Sequence, residues 1–171
     1  MTNMRTLTLL AALLGGAACG DDDDGGTAPA TEFTASLNGD NEVPAVATDA
    51  TGTATLSIEG DQINYTVEVN GLENAVFAHI HIAPEGENGP VVLNLCGTGP
   101  PEPACVSGDG VLATGTNGTS VVPAITFDSL VSAMRTGGAY VNVHTDDGVA
   151  PPSTGAGDMI SGEIRGQVEA Q

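Results

Sequence analysis

The three histidines of the chain occupy positions suited to binding one metal ion. His79 and His81 are two residues apart in an alternating apolar segment, residues 75–82, and His144 lies in a second one, residues 140–145. Because alternate side chains of a β-strand point to the same side, we expect His79 and His81 to share a face. If the His144 strand packs beside them, three imidazoles converge, a donor set typical of copper or zinc.

Two aspartates could complete such a site. Asp146 or Asp147, just after His144, is a candidate fourth ligand or a group that orients a histidine, and Met159 is a more distant candidate for a soft axial ligand. The alternative is structural: neutral histidines that hydrogen-bond to backbone and carboxylate groups. Calcium is another option for the acidic turns 85–89 and 146–148, although neither follows the EF-hand spacing.

The first 31 residues predict export and a lipid anchor. Arg5 precedes an apolar run over residues 7–18, which is too short to span a bilayer and is typical of a signal peptide. Small residues before Cys19 resemble a bacterial lipobox; an ordinary signal peptide with an incidental cysteine is the alternative. We therefore divide the chain into a lipoprotein signal peptide (1–18), an acidic tether (19–31) and one domain (32–171), held in the cell envelope outside the cytoplasm by its lipid.

The charge of the chain excludes several partners. Without Arg5 the mature chain keeps two arginines, Arg135 and Arg165, against 22 acidic residues, a net formal charge of −20. Such a surface repels nucleic acid, so we expect no nucleic-acid partner. The expected partners are the membrane, through the lipid, and an unknown protein or surface ligand.

The other two cysteines predict a disulfide. Cys96 and Cys105 bracket a turn-rich segment with three prolines and form an even pair in an oxidising compartment. Closing so short a loop stabilises a domain by about 2–3 kcal/mol in the chain-entropy model. A metal-bound thiolate pair is the less favoured alternative at this spacing.

The domain reads as short strands separated by turns, which indicates a β-sandwich or barrel. Alternating residues 54–58 and 63–69 flank a tight turn and predict a hairpin. One helix is expected over residues 130–135, capped by Asp128 or Ser129 and ended by Gly137. A last strand is predicted over residues 159–168. In it Glu163 and Arg165 share a side, which predicts a structural ion pair, with anion recognition by Arg165 as the alternative.

Four segments in order resemble the CHRD domain, a module named from the secreted protein chordin: residues 37–44, 79–81 with 89–92, 140–145 and 162–167. The resemblance covers about residues 33–168. It implies an all-β, immunoglobulin-like or superoxide-dismutase-like Greek-key sandwich or barrel with one short helix. It also implies a role in extracellular binding, since chordin is a binding protein.

These observations predict an exported, lipid-anchored binding or interaction module and no enzymatic activity. The alternative is a mononuclear copper or zinc protein using His79, His81 and His144 for metal handling or redox chemistry. A dinuclear dismutase site of the copper/zinc type needs about six histidines and an aspartate, whereas this chain has three histidines. The acidic surface would also repel superoxide, so dismutase activity is not expected.

Overall fold

A computed structural model describes residues 28–97, 99, 102–117 and 125–171. The predicted signal peptide, the predicted lipidation site Cys19 and most of the predicted tether lie outside these residues. Within the described part of the chain, no helix combines the length and the apolar character needed to cross a membrane.

The described residues form nine β-strands and one α-helix, with a short 3-10 turn at Gly39–Asn41. In chain order the elements are β1 (Glu32–Asn38), β2 (Thr51–Glu59), β3 (Gln62–Asn70), β4 (Ala75–Ile82), β5 (Val91–Cys96), β6 (Gly110–Asn117), α1 (Phe127–Arg135), β7 (Ala139–Thr145), β8 (Ile164–Gln167) and β9 (Glu169–Ala170).

The strands make one antiparallel sheet in the order β5-β4-β7-β8-β1-β2-β3-β6, with β9 paired to β1. Its two edges approach each other, because the Tyr65 hydroxyl on β3 donates to the Leu95 carbonyl on β5 over 2.7 Å. The Asn117 side-chain amide on β6 also donates to the Asn94 carbonyl on β5. The sheet is therefore a nearly closed barrel, and the predicted all-β class is confirmed.

Side-chain alternation fills the barrel. In β3, Ile63, Tyr65, Val67 and Val69 are buried while Glu68 is exposed. In β4 and β7 the aliphatic side chains Ala78, Ile80, Val141 and Val143 lie in the same core. Burying each large aliphatic side chain contributes roughly 1.5–3 kcal/mol, so these alternations hold the strands that carry the histidines. A disulfide joins Cys96 to Cys105, as predicted.

Three elements differ from the expectations. β6 was not predicted, because its glycine and threonines break the apolar alternation. The predicted last strand, 159–168, is wrong in its first half: residues 159–163 turn, and β8 begins at Ile164. The helix begins earlier than expected, at Phe127, because Thr126 is the N-cap and accepts a hydrogen bond from the Ser129 amide.

Candidate metal centre

The three histidines lie on one face of two adjacent strands. β4 and β7 are antiparallel, with His79 opposite Asn142, His81 opposite Tyr140 and Phe77 opposite His144. His144 is therefore diagonal to His79 on the same face, as the alternation predicted. The opposite face of both strands lines the barrel core, so the histidine face lies outside the barrel and is covered by loops.

The imidazoles are close together and nearly buried. His79 Nδ1 is 3.2 Å from His144 Nε2, and one ring nitrogen from each of the three histidines lies within 4.8 Å of the others. The side chains of His79, His81 and His144 are 9%, 7% and 8% exposed. The predicted convergence of the three histidines is thus present in the structure.

Backbone carbonyls orient two of the rings. His81 Nδ1 donates to the Gly89 carbonyl over 2.9 Å, and His144 Nδ1 donates to the Ile160 carbonyl over 3.0 Å. Because a carbonyl can only accept, each Nδ1 carries the proton and each Nε2 presents a lone pair. Metal-binding histidines are commonly oriented in this way, with the non-ligating nitrogen donating to a carbonyl.

One of these lone pairs has no partner. His81 Nε2 is buried and makes no hydrogen bond to any described residue. An acceptor left unsatisfied in the interior costs about 1–3 kcal/mol. A cation bound between His79, His81 and His144 would satisfy it.

Burial keeps the cluster neutral. Desolvation, followed by the charges of the neighbouring histidines, lowers the pKa of His79 to about 4. Burial also lowers the pKa of His144 to about 4, although the bond to the Ile160 carbonyl opposes the shift, and it lowers the pKa of His81. At neutral pH the three side chains are therefore neutral imidazoles, the form that binds metal.

The donor set fits zinc or copper. Tetrahedral zinc–nitrogen bonds of about 2.0–2.1 Å place two ligand nitrogens about 3.3 Å apart, and His79 Nδ1 lies 3.2 Å from His144 Nε2. Because His144 Nδ1 carries the proton, His79 Nδ1 donates to His144 Nε2 at this distance, and an ion bound by both nitrogens would require the His79 proton to move to its Nε2. Asp146 and Asp147, predicted as fourth ligands, are not part of this group and lie with Asp158 in a second cluster. A three-nitrogen site with no fourth ligand in the described group leaves one position for a water or another ligand.

A cavity of about 420 Å³ borders the cluster, and His81, Tyr140, Asn142, Met159 and Glu42 are among the residues that line it. Glu42 Oε1 and Asn142 Oδ1 are buried and, like His81 Nε2, have no partner among the described residues. Three buried polar atoms without a partner thus lie on side chains that line one cavity. This concentration indicates a binding site for a group that supplies positive charge or hydrogen-bond donors.

Glu42 itself is held in an unusual state. Burial raises its pKa to about 7, against the opposing charge of Arg165. Sequence reasoning did not single out Glu42, because its approach to the site depends on a loop 120 residues away, at Gly162. A Cβ at Gly162 would lie 2.8 Å from Glu42 Oε1 and 2.6 Å from Asn142 Nδ2. Asn142 was detectable, since it alternates between Tyr140 and His144 on the same strand face.

Glu163 and Arg165 lie in separate networks. Glu163, 1% exposed, accepts from the hydroxyls of Thr48 and Thr145 and from the Gly157 amide, over 2.7, 2.6 and 2.7 Å. The hydrogen bonds described for these two side chains do not join them. The predicted ion pair between Glu163 and Arg165 is therefore replaced by hydroxyl and backbone donors on Glu163.

Arg165 instead supports the histidine face. Its guanidinium donates to the Asn41 carbonyl over 2.6 Å and to Asn88 Oδ1 over 2.9 Å. It also lies 4.5 Å from the centre of the Tyr140 ring, whose other neighbour is the His81 ring, stacked at 4.8 Å. This guanidinium–ring contact fixes Tyr140, and with it the position of His81.

Comparison with known proteins identifies the module. A family model, described as the CHRD domain, matches residues 33–151, and a search of curated proteins finds no match. The matched region includes all three histidines and the disulfide, and the match points to a β-fold interaction module. The barrel and the family match together show that this chain belongs to the CHRD domain family.

Proposed function

We propose that this protein is an exported, lipid-anchored binding module whose CHRD domain holds one zinc or copper ion on His79, His81 and His144. The observation that supports the metal is the buried, unpartnered Nε2 of His81 in a cluster where one ring nitrogen from each histidine lies within 4.8 Å of the others. Bound there, the ion would supply a Lewis-acidic centre with an open coordination position.

The residues around the histidines have separate tasks in this proposal. The carbonyls of Gly89 and Ile160 hold two rings with their Nε2 atoms toward the cluster. Tyr140 stacks on His81, and the cavity beside His81 gives a ligand access to the site. Glu42 and Asn142 offer unpaired oxygens to such a ligand. We propose a binding role and no enzymatic activity, since three histidines are too few for a dinuclear dismutase site.

Metal analysis of the purified mature protein tests this function. After equal supply of zinc and copper and extensive dialysis, we expect about one ion per chain. His81→Gln removes the Nε2 lone pair and should reduce bound metal at least tenfold. Phe77→Leu is the matched control, because it removes a ring stacked 5.8 Å from His79 without touching a ring nitrogen.

Equal metal content in the wild type and in His81→Gln would contradict the three-histidine site. A wild-type protein that retains neither ion would reject the metal function. The alternative function, a metal-free recognition module, would then account for the cavity and its unpaired oxygens.

The compartment is a separate part of the proposal. The disulfide between Cys96 and Cys105 supports an oxidising environment, as the signal peptide and Cys19 predict from the sequence. Labelling with a radioactive fatty acid should mark the wild type and leave Cys19→Ala unlabelled and released from membranes. A membrane-bound, labelled Cys19→Ala variant would show that the anchor lies elsewhere.

A further inference from the structure

A second cluster of ligand atoms lies in the long loop between β7 and β8. Asp146, Asp147 and Asp158 each offer a carboxylate oxygen, and the three oxygens lie within 4.8 Å of one another. Asp146 is half-buried, Asp147 is exposed and Asp158 is 3% exposed. The cluster is distinct from the histidine site, since its donors are all oxygen and its residues are different.

Each carboxylate uses one oxygen to fold the loop. Asp146 Oδ1 accepts from the Gly148 amide, and Asp147 Oδ1 accepts from the Val149 amide, both over 2.7 Å. Asp158 Oδ2 accepts from the amide and the hydroxyl of Thr154, over 2.9 and 2.8 Å. These bonds shape the loop and account for one oxygen of each carboxylate.

The second oxygen of Asp158 is the observation that points to a ligand. Asp158 Oδ1 is buried and has no hydrogen-bond partner among the described residues. A buried carboxylate oxygen without a donor is costly, because it has lost its hydration. A bound cation would remove this cost, and the carboxylates of Asp146 and Asp147 are close enough to share it.

The described chain supplies no cation of its own here. Lysine is absent from the sequence, and the two arginines of the described residues are engaged elsewhere. Arg135 donates to the Ala30 carbonyl, and Arg165 donates to the Asn41 carbonyl. A cation at this cluster would therefore come from solution.

We propose that Asp146, Asp147 and Asp158 bind a calcium ion. Calcium prefers oxygen ligands, and carboxylates mixed with waters in a flexible loop suit its irregular coordination better than the strict octahedron of magnesium. Such a site is expected in the affinity class of extracellular calcium modules, about 10⁻⁴–10⁻³ M. The ion would fasten the loop whose Ile160 carbonyl orients His144.

Calorimetric titration of the full mature protein with calcium chloride, after removal of metals with a chelator, tests the site. One calcium per chain is expected, and 10 mM calcium should raise the unfolding temperature by about 5 °C. Asp147→Asn and Asp158→Asn keep an oxygen for the loop amides but lose charge, and each should weaken binding at least tenfold. Asp61→Asn, in the exposed turn between β2 and β3, is the control and should bind as the wild type does.

Absence of both heat and thermal shift at 10 mM calcium would overturn the proposal. So would equal stabilisation by magnesium, or unchanged calcium affinity in the exposed Asp147→Asn variant, which does not depend on replacing a buried side chain. His81→Gln should bind calcium normally, so the outcome is independent of the transition-metal site.

Discussion

The two sides of β7 handle buried polar groups in opposite ways. Thr145 points to Glu163, whose carboxylate accepts three hydrogen bonds from the chain itself. His144, the preceding residue, points to a cluster in which His81 Nε2, Glu42 Oε1 and Asn142 Oδ1 have no partner among the described residues. A buried polar group that the chain satisfies is structural, whereas one that the chain leaves unsatisfied takes its partner from outside the chain, as a water or a ligand.

The largest expected effect on the free energy of unfolding is on the side of β7 where the chain satisfies its own buried polar groups. Glu163→Ala leaves the Thr48 and Thr145 hydroxyls and the Gly157 amide without their acceptor in a site that is 1% exposed. The free energy of unfolding should fall by about 3–5 kcal/mol, measured by urea denaturation. Glu163→Gln keeps one acceptor oxygen and should lose less. A cost below about 1 kcal/mol for the alanine variant would remove the distinction between the two sides.

The next largest expected effect is the pH dependence of the free energy of unfolding, which the histidines contribute on the other side of β7. His79 and His144 have a pKa of about 4 in the fold and 6.5 as the ordinary value. Between these values the unfolded chain binds more protons, so the stability they contribute is complete above pH 6.5 and is lost as the pH falls toward 4. Each histidine contributes up to about 3 kcal/mol over this range. Chelator-treated protein, denatured with urea at pH 4 to 7.5, gives the measurement.

Glu42 changes the pH dependence of stability in the opposite direction to the histidines and provides the control. Its pKa is raised from 4.5 to about 7, so between these values the folded chain holds the extra proton and stability falls as the pH rises. In Glu42→Gln this opposing contribution is gone. The slope of stability against pH between 5 and 6.5 should therefore steepen by up to about 1.4 kcal/mol per pH unit. Identical slopes in the wild type and the variant would contradict the buried state of Glu42.

Strand periodicity explains what the sequence could reveal. The alternation in residues 75–82 and 140–145 placed His79, His81 and His144 on one face, since a strand has only two sides. The unsatisfied oxygen of Glu42 could not be anticipated, because it depends on a loop packing against Gly162 rather than on a local pattern. The ion pair expected for Glu163 and Arg165 was wrong for the same reason. Residues 159–163 form turns, and the Glu163 carboxylate accepts hydrogen bonds from loop donors of Thr48 and Gly157 instead.

The smallest expected effect is a difference in the free energy of unfolding between substitutions at two positions of β7. Thr145→Val keeps the shape but removes a hydroxyl that donates to Glu163 and accepts from the Met159 amide, so it should cost about 1–3 kcal/mol. Asn142→Leu removes an oxygen that has no partner among the described residues, and its cost should stay within about 1 kcal/mol. Both variants are measured by urea denaturation of chelator-treated protein. Equal losses would mean that Asn142 Oδ1 is bonded in the metal-free protein, and the contrast between the two sides of β7 would then rest on the histidines and Glu42 alone.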